Sequence, residues 1–194
     1  MRRLCVFCGS NVGARPDYAA AAREFATAAV GRGLGIVYGG GNVGLMGVVA
    51  DAAIAAGGEV IGVIPSALQA KELAHAGLSA LHVVRSMHDR KALMADLSDG
   101  FVALPGGVGT LEELFEILTW AQLGIHAKPV GVLDTAGFFQ PLLALLDHQV
   151  EERFLKPKHR ALVHVAAEPQ RLLDLLLMAP LAPAEPKWLD ESRR

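Results

Sequence analysis

The chain has 194 residues, 52% of them hydrophobic, with 18 Lys+Arg against 20 Asp+Glu and a net charge of −2; that is enough for one domain with a substantial core and short for two. The balanced charge holds no basic run to follow a nucleic-acid backbone, and no apolar stretch approaches the ~20 residues that span a bilayer. One domain over residues 1–180 and a Pro-rich, charged, loosely ordered tail over 181–194 are expected, in the cytoplasm, because "MRRLCVFCGS" lacks the long apolar core of a leader.

The first predicted strand, Arg3–Cys8, carries Cys5 and Cys8. Positions three apart on a strand face opposite ways, so the two thiols cannot share a metal and read as small buried apolar residues. "CGSNVG" follows, then a helix at Asp17–Gly33 and a strand at Gly35–Tyr38. Gly39, Gly41 and Gly44 next spell G-x-G-x-x-G before a helix at Gly44–Ala56, the form of a dinucleotide fingerprint. The following strand, Glu59–Ile64, ends in Pro65 and Ser66 rather than the acid a ribose hydroxyl needs. An NAD site is therefore disfavoured, and a tight packing turn is the plainer reading. Pro65–Leu78 is too irregular for a crossover helix and reads as a mobile loop over a site.

After a strand at Ala80–Val84, "SMHDRKALM" opens a helix at Met87–Leu97, with Arg90 and Lys91 near its start, where the helix dipole disfavours cations. They are either solvated residues bridging Asp89 or Asp96, or a guanidinium fork and a lysine charge for one phosphate. In the second case Arg90 owes its place to a ligand, and replacing it is expected to leave stability nearly unchanged.

A strand at Gly100–Leu104 runs into "LPGGVGTLEELFEILTW". Gly106, Gly107 and Gly109 permit close approach, and the helix behind them, Thr110–Gly124, offers unpaired N–H groups to an anion. Thr110 and Glu113 form T-x-x-E, a capping box that would make Glu113 structural. Helix geometry nevertheless puts Glu113, Glu116 and Trp120 opposite the face of Leu111, Leu114, Phe115, Leu118 and Gln122, which leaves Glu113 beside the glycine turn. Strands at Pro129–Leu133 and Leu162–Val165 and helices at Phe138–Arg153 and Pro169–Met178 complete the chain. The alternation predicts an α/β fold: a Rossmann-like, doubly wound, mostly parallel sheet of about seven strands with helices on both faces, its glycine turns at the carboxyl edge where ligands bind.

"CVFCGS", "YGGGNVGLMG", "MHDRK" and "PGGVGTLEE" together resemble the LONELY GUY family, the cytokinin riboside 5′-monophosphate phosphoribohydrolases, from about Cys5 to Asp134. The resemblance implies cleavage of the N-glycosidic bond of an adenosine 5′-monophosphate, plain or N6-prenylated, to free base and ribose 5-phosphate, with no cofactor and no metal. It implies Arg90 and Glu113 as the catalytic pair, and Glu72, Lys91, Gly106, Gly107, Val108, Gly109, Thr110 and Thr119 as substrate-binding residues. Many relatives have Glu where this chain has Asp89, a change that leaves Arg90 in place. Members of this short architecture are typically homodimers, and Ile117, Trp120 and Leu123 would give the Thr110–Gly124 helix apolar surface for a second copy. Many members also carry a lysine decarboxylase label, but nothing here marks the Schiff-base lysine of a pyridoxal phosphate enzyme.

In such a reaction the sugar becomes oxocarbenium-like, and a fixed carboxylate, here Glu113, stabilises that charge or activates the attacking water. The alternative on the same fold is a non-catalytic nucleotide- or cofactor-binding carrier resembling the molybdenum-cofactor carrier proteins. Glu113 beside an anion turn favours the enzyme, because a phosphate binder gains nothing from an adjacent carboxylate.

Overall fold

The computed structural model describes residues 1–69 and 74–179. Strands β1 (Arg3–Phe7), β2 (Gly35–Tyr38), β3 (Val60–Pro65), β4 (Ala80–Val84), β5 (Gly100–Ala103), β6 (Val130–Leu133) and β7 (Val163–Ala166) form one sheet. Their order is β4-β3-β2-β1-β5-β6-β7, and every neighbouring pair is parallel. The helices are α1 (Pro16–Gly31), α2 (Gly44–Ala55), α3 (Ser66–Gln69), α4 (Met87–Asp96), α5 (Val108–Gln122), α6 (Gln140–Glu151), α7 (Pro157–Arg160) and α8 (Pro169–Met178), with a 3₁₀ turn at Thr135–Gly137. The α/β reading is borne out. No helix among the described residues is long and apolar enough to cross a membrane.

The central strands are apolar along both faces because helices cover both. Leu4, Val6 and Cys8 point into a core closed by Phe25 of α1, Leu45 and Val49 of α2 and Leu172 and Leu176 of α8. Cys5 and Phe7 point the other way, onto Met94 of α4, Leu114 and Leu118 of α5 and Leu143 of α6. Cys5 and Cys8 are thus free thiols on opposite faces, as strand geometry requires. Each fully buried Leu or Phe contributes about 1.5–3 kcal/mol to this arrangement.

Ile117 departs from its expected place. It is 2% exposed in the α4–α5–α6 core rather than on an outer surface, and Trp120 packs half-buried against the same core. The helix starts two residues earlier than the sequence suggests, and its buried residues are Thr110, Leu114, Ile117 and Leu118, because α4 and α6 pack on a face turned from the Leu111–Phe115 stripe. The single turns α3 and α7 are too short to show periodicity in the sequence. Glu72 and the tail over 181–194 lie outside the described residues.

Candidate active site

The strand order reverses between β1 and β5, so the crevice for a ligand opens beyond the carboxyl ends of these two strands. The chain is tightly knit there. Gly9 N–H donates to the Pro105 carbonyl at 3.1 Å and Leu45 N–H to the Gly9 carbonyl at 3.0 Å. A Cβ on Gly106 would lie 2.1 Å from Thr110 Oγ1 and 2.8 Å from Gly9 N, so only glycine fits. A Cβ on Gly107 or Gly109 would meet nothing within 4 Å, because these two face open space at the mouth of the crevice. Helix α5 begins at Val108 with Gly107 as its N-cap. The N–H groups of Val108, Gly109 and Thr110 precede the first intrahelical bond, from Leu111 N–H to the Gly107 carbonyl at 3.2 Å. They form a positive rim suited to an anion.

That start removes the capping box. Thr110 is the third helical residue, buried, and no side chain caps α5. Glu113 therefore sits in the second turn of the helix and lines a cleft of about 310 Å³ together with Ser10, Met46, Leu68, Met87, Arg90 and the Gly107–Thr110 turn. Burial pushes the Cys8 thiol in the same cleft far up, and the negative charge of Glu113 adds to that shift. Cys8 is a buried wall residue whose surroundings favour the neutral thiol.

Arg90 faces Glu113's cleft from α4, whose first turn is capped by Ser86 Oγ accepting from Asp89 N–H at 3.0 Å. It is 5% exposed. Its Nε donates to the Val63 carbonyl at 3.1 Å and its Nη2 to the Gly39 carbonyl at 2.8 Å. The fold itself thus supplies acceptors for a cation placed at a helix N-terminus, which corrects the expectation that a ligand rather than the fold is its partner.

Lys91 is placed differently from Arg90. Its Nζ donates to Glu112 and, at 3.0 Å, to Glu116, both on α5, and it is not among the residues lining the cleft. Burial pulls its pKa down, but the two carboxylates outweigh that and hold it above its ordinary value. The bridge also explains the acidic pair at an anion turn: Glu112 reaches the cleft wall with its charge offset by Lys91. Neither Asp89 nor Asp96 takes this role. Thr119 is also away from the cleft. Its Oγ1 donates to the Phe115 carbonyl at 2.7 Å, and it lines a small cavity between α5 and α6 with Leu146 and His159.

The "YGGGNVG" turn is a packing device rather than a dinucleotide site. Gly44 has φ +57°, and a Cβ there would lie 2.2 Å from the carbonyl carbon of Ser10, so the β1–α1 connection fills the N-terminus of α2. Sequence reasoning missed Ser10, Met46, Leu68 and Met87. The first, second and fourth stand inside the motifs "CGS", "GLMG" and "MHDRK" and could have been found there; Leu68 sits in the irregular segment and carries no signal. A second cavity of about 270 Å³, lined by Val12, Tyr18, Leu45 and Phe138, meets the cleft at Ser10 and Gly107.

A family model described as "Possible lysine decarboxylase" matches residues 46–176. A rice (Oryza sativa subsp. japonica) protein named "Probable cytokinin riboside 5'-monophosphate phosphoribohydrolase" is 49% identical over 175 residues, which cover 90% of this chain and 72% of that protein. A cytokinin riboside 5′-monophosphate phosphoribohydrolase of Arabidopsis thaliana is 47% identical over 90% of this chain and 82% of its own length. Among solved structures, the molybdenum cofactor carrier protein of Chlamydomonas reinhardtii superposes with a TM-score of 0.70 at 22% identity, over 92% of this chain and 99% of that one, a likeness that carries the fold alone. Identity near one half along nine-tenths of the chain places this protein in the cytokinin riboside 5′-monophosphate phosphoribohydrolase (LONELY GUY) family of enzymes.

Proposed function

We propose that the protein hydrolyses the N-glycosidic bond of a cytokinin riboside 5′-monophosphate, adding water across the C1′–N bond to release the free base and ribose 5-phosphate. The observation that carries this reading is the meeting of Glu113, Arg90 and the first turn of α5 in one cleft. The 5′-phosphate binds the N–H groups at Gly106, Gly107, Val108, Gly109 and Thr110, where helix dipole and orphan donors favour it. Remote binding of that group holds the ribose in a reactive geometry.

Glu113 faces C1′, where it stabilises the oxocarbenium-like sugar and accepts a proton from the attacking water as the C1′–O bond forms; the C1′–N electrons leave with the base, which takes up one proton, and the loss of the proton from Glu113 restores the carboxylate. Arg90, fixed by two carbonyls, orients the nucleotide. Lys91 serves the phosphate by neutralising Glu112. The base lies on the apolar wall of Met46, Leu68 and Met87. An imine-forming lysine needs a free amine, and Lys91 Nζ is engaged by Glu112 and Glu116 away from the cleft.

We also propose a homodimer working in the cytoplasm. Leu123, Ile125 and Phe154, the last 88% exposed, offer apolar surface for a second copy, and two buried unpaired thiols suit a reducing compartment.

The test is incubation with AMP, isopentenyladenosine monophosphate and adenosine, followed by chromatography for free base. Release from the monophosphates with far less from adenosine supports the reading. Tight nucleotide binding without release would replace it with a carrier.

A further inference from the structure

Three successive glycines after β2 each hold a different neighbour. The Gly39 carbonyl receives Arg90, the Gly40 carbonyl accepts from His75 N–H at 3.1 Å, and Gly41 pairs with Ala74 in an antiparallel bridge. His75 is thereby tied to the same turn as Arg90. Its ring is fixed as well: Nδ1 accepts from Gly77 N–H at 3.0 Å, so the proton lies on Nε2, which donates to Asp51 of α2 at 2.9 Å. The His75 side chain is 10% exposed. Ala74 N–H in turn donates to the Gln69 carbonyl at 3.3 Å, and Gln69 ends α3, the helix that carries Leu68 into the cleft.

We propose that His75 and Asp51 are positioning residues that set the Leu68 wall, and through it affinity for the base half of the nucleotide. The inference rests on the functional reading above, since it assigns the Met46–Leu68–Met87 wall to the base. A surface ion pair alone is worth little. Here the Asp51 side chain is 71% exposed, but the histidine side chain is 10% exposed and hydrogen-bonded on three sides, so losing Asp51 loosens a connection whose other end reaches Gln69, next to Leu68.

The test uses Asp51→Ala, His75→Asn and His75→Gln in the whole chain. Asn keeps an acceptor where Nδ1 stands and loses the bond to Asp51; Gln keeps a donor where Nε2 stands. Asp51→Ala and His75→Asn should raise KM for isopentenyladenosine monophosphate, and the Kd of free isopentenyladenine by calorimetry, about tenfold, the scale of one charge-assisted hydrogen bond. kcat and the Kd of ribose 5-phosphate should stay within about twofold of wild type, close to the additivity error for separate sites. His75→Gln should bind base nearly as wild type does. Unchanged base affinity in the first two variants, an equal loss for ribose 5-phosphate, or a Gln variant as weak as the Asn one overturns the proposal. If the wild type releases no base, the hydrolase reading fails, and the calorimetric comparison of base with ribose 5-phosphate still decides the anchor.

Discussion

Arg90 Nη2 donates to the Gly39 carbonyl at 2.8 Å, and a Cβ on Gly39 would lie 2.0 Å from that same nitrogen. The guanidinium and the glycine are therefore one unit: the side chain reaches its place only because residue 39 has no side chain. Gly39→Ala should displace Arg90 and lose most base release although residue 39 does not line the cleft. Arg90→Ala removes a donor from the Val63 and Gly39 carbonyls, at about 1–3 kcal/mol for each one left unsatisfied. A urea titration should show it destabilised by roughly 2 kcal/mol or more, and Arg90→Lys should not restore turnover because a lysine lacks the planar fork. A melting point unmoved by Arg90→Ala would mean that these two bonds are not made in solution.

Lys91 separates a direct from an indirect role in phosphate binding. With Nζ held by Glu112 and Glu116, Lys91→Met should raise KM for the nucleotide on the order of tenfold by leaving Glu112 uncompensated at the cleft. The double variant Lys91→Met/Glu112→Gln should recover most of that loss. Steady-state kinetics on the four members of the cycle measure the coupling. A double variant as poor as Lys91→Met would mean that the ammonium itself contacts the phosphate.

Stability should fall on the acid side of neutrality. Burial holds His126 below its ordinary value of 6.5, against the opposing hydrogen bond from Nε2 to the Ile117 carbonyl, and Lys128 adds to the lowering. His164 is lowered by burial as well. The unfolded chain binds these protons first, so stability is intact above the unfolded value and is lost as pH falls from about 7 through 6 toward the folded values. Denaturation midpoints at a series of pH values check this, and His126→Gln should flatten the dependence. A midpoint that rises on acidification over that range would reverse the sign.

The sheet and its helices were legible because the strands are apolar runs and the connections carry 3.6-residue periodicity, with boundaries shifted by one or two residues. The glycine turn before Glu113 was legible as a tight turn opening a helix, and its orphan N–H groups stand where the sequence puts them. What the sequence obscured was register. Thr110 and Glu113 match a capping box, yet Gly107 caps α5 with backbone alone and moves the helix start to Val108. The sequence left Arg90 without a protein partner because helix position reveals nothing of the carbonyls on β3 and after β2. Lys91 and Thr119 were expected from the resemblance to bind substrate, but one bridges α4 to α5 and the other bonds its own helix. The Leu68 wall has no local signature, since Leu68 reaches the cleft on a single helical turn that follows directly from β3.

The central claim is that Glu113 acts on the sugar and does not merely support the helix. The direct measurement is base release by Glu113→Gln from isopentenyladenosine monophosphate, alongside nucleotide binding by calorimetry and a melting curve. Base release should fall on the order of 10²-fold or more, the scale of one lost transition-state stabiliser, with binding and melting close to wild type. Near-wild-type turnover in a folded Glu113→Gln protein would contradict the assignment.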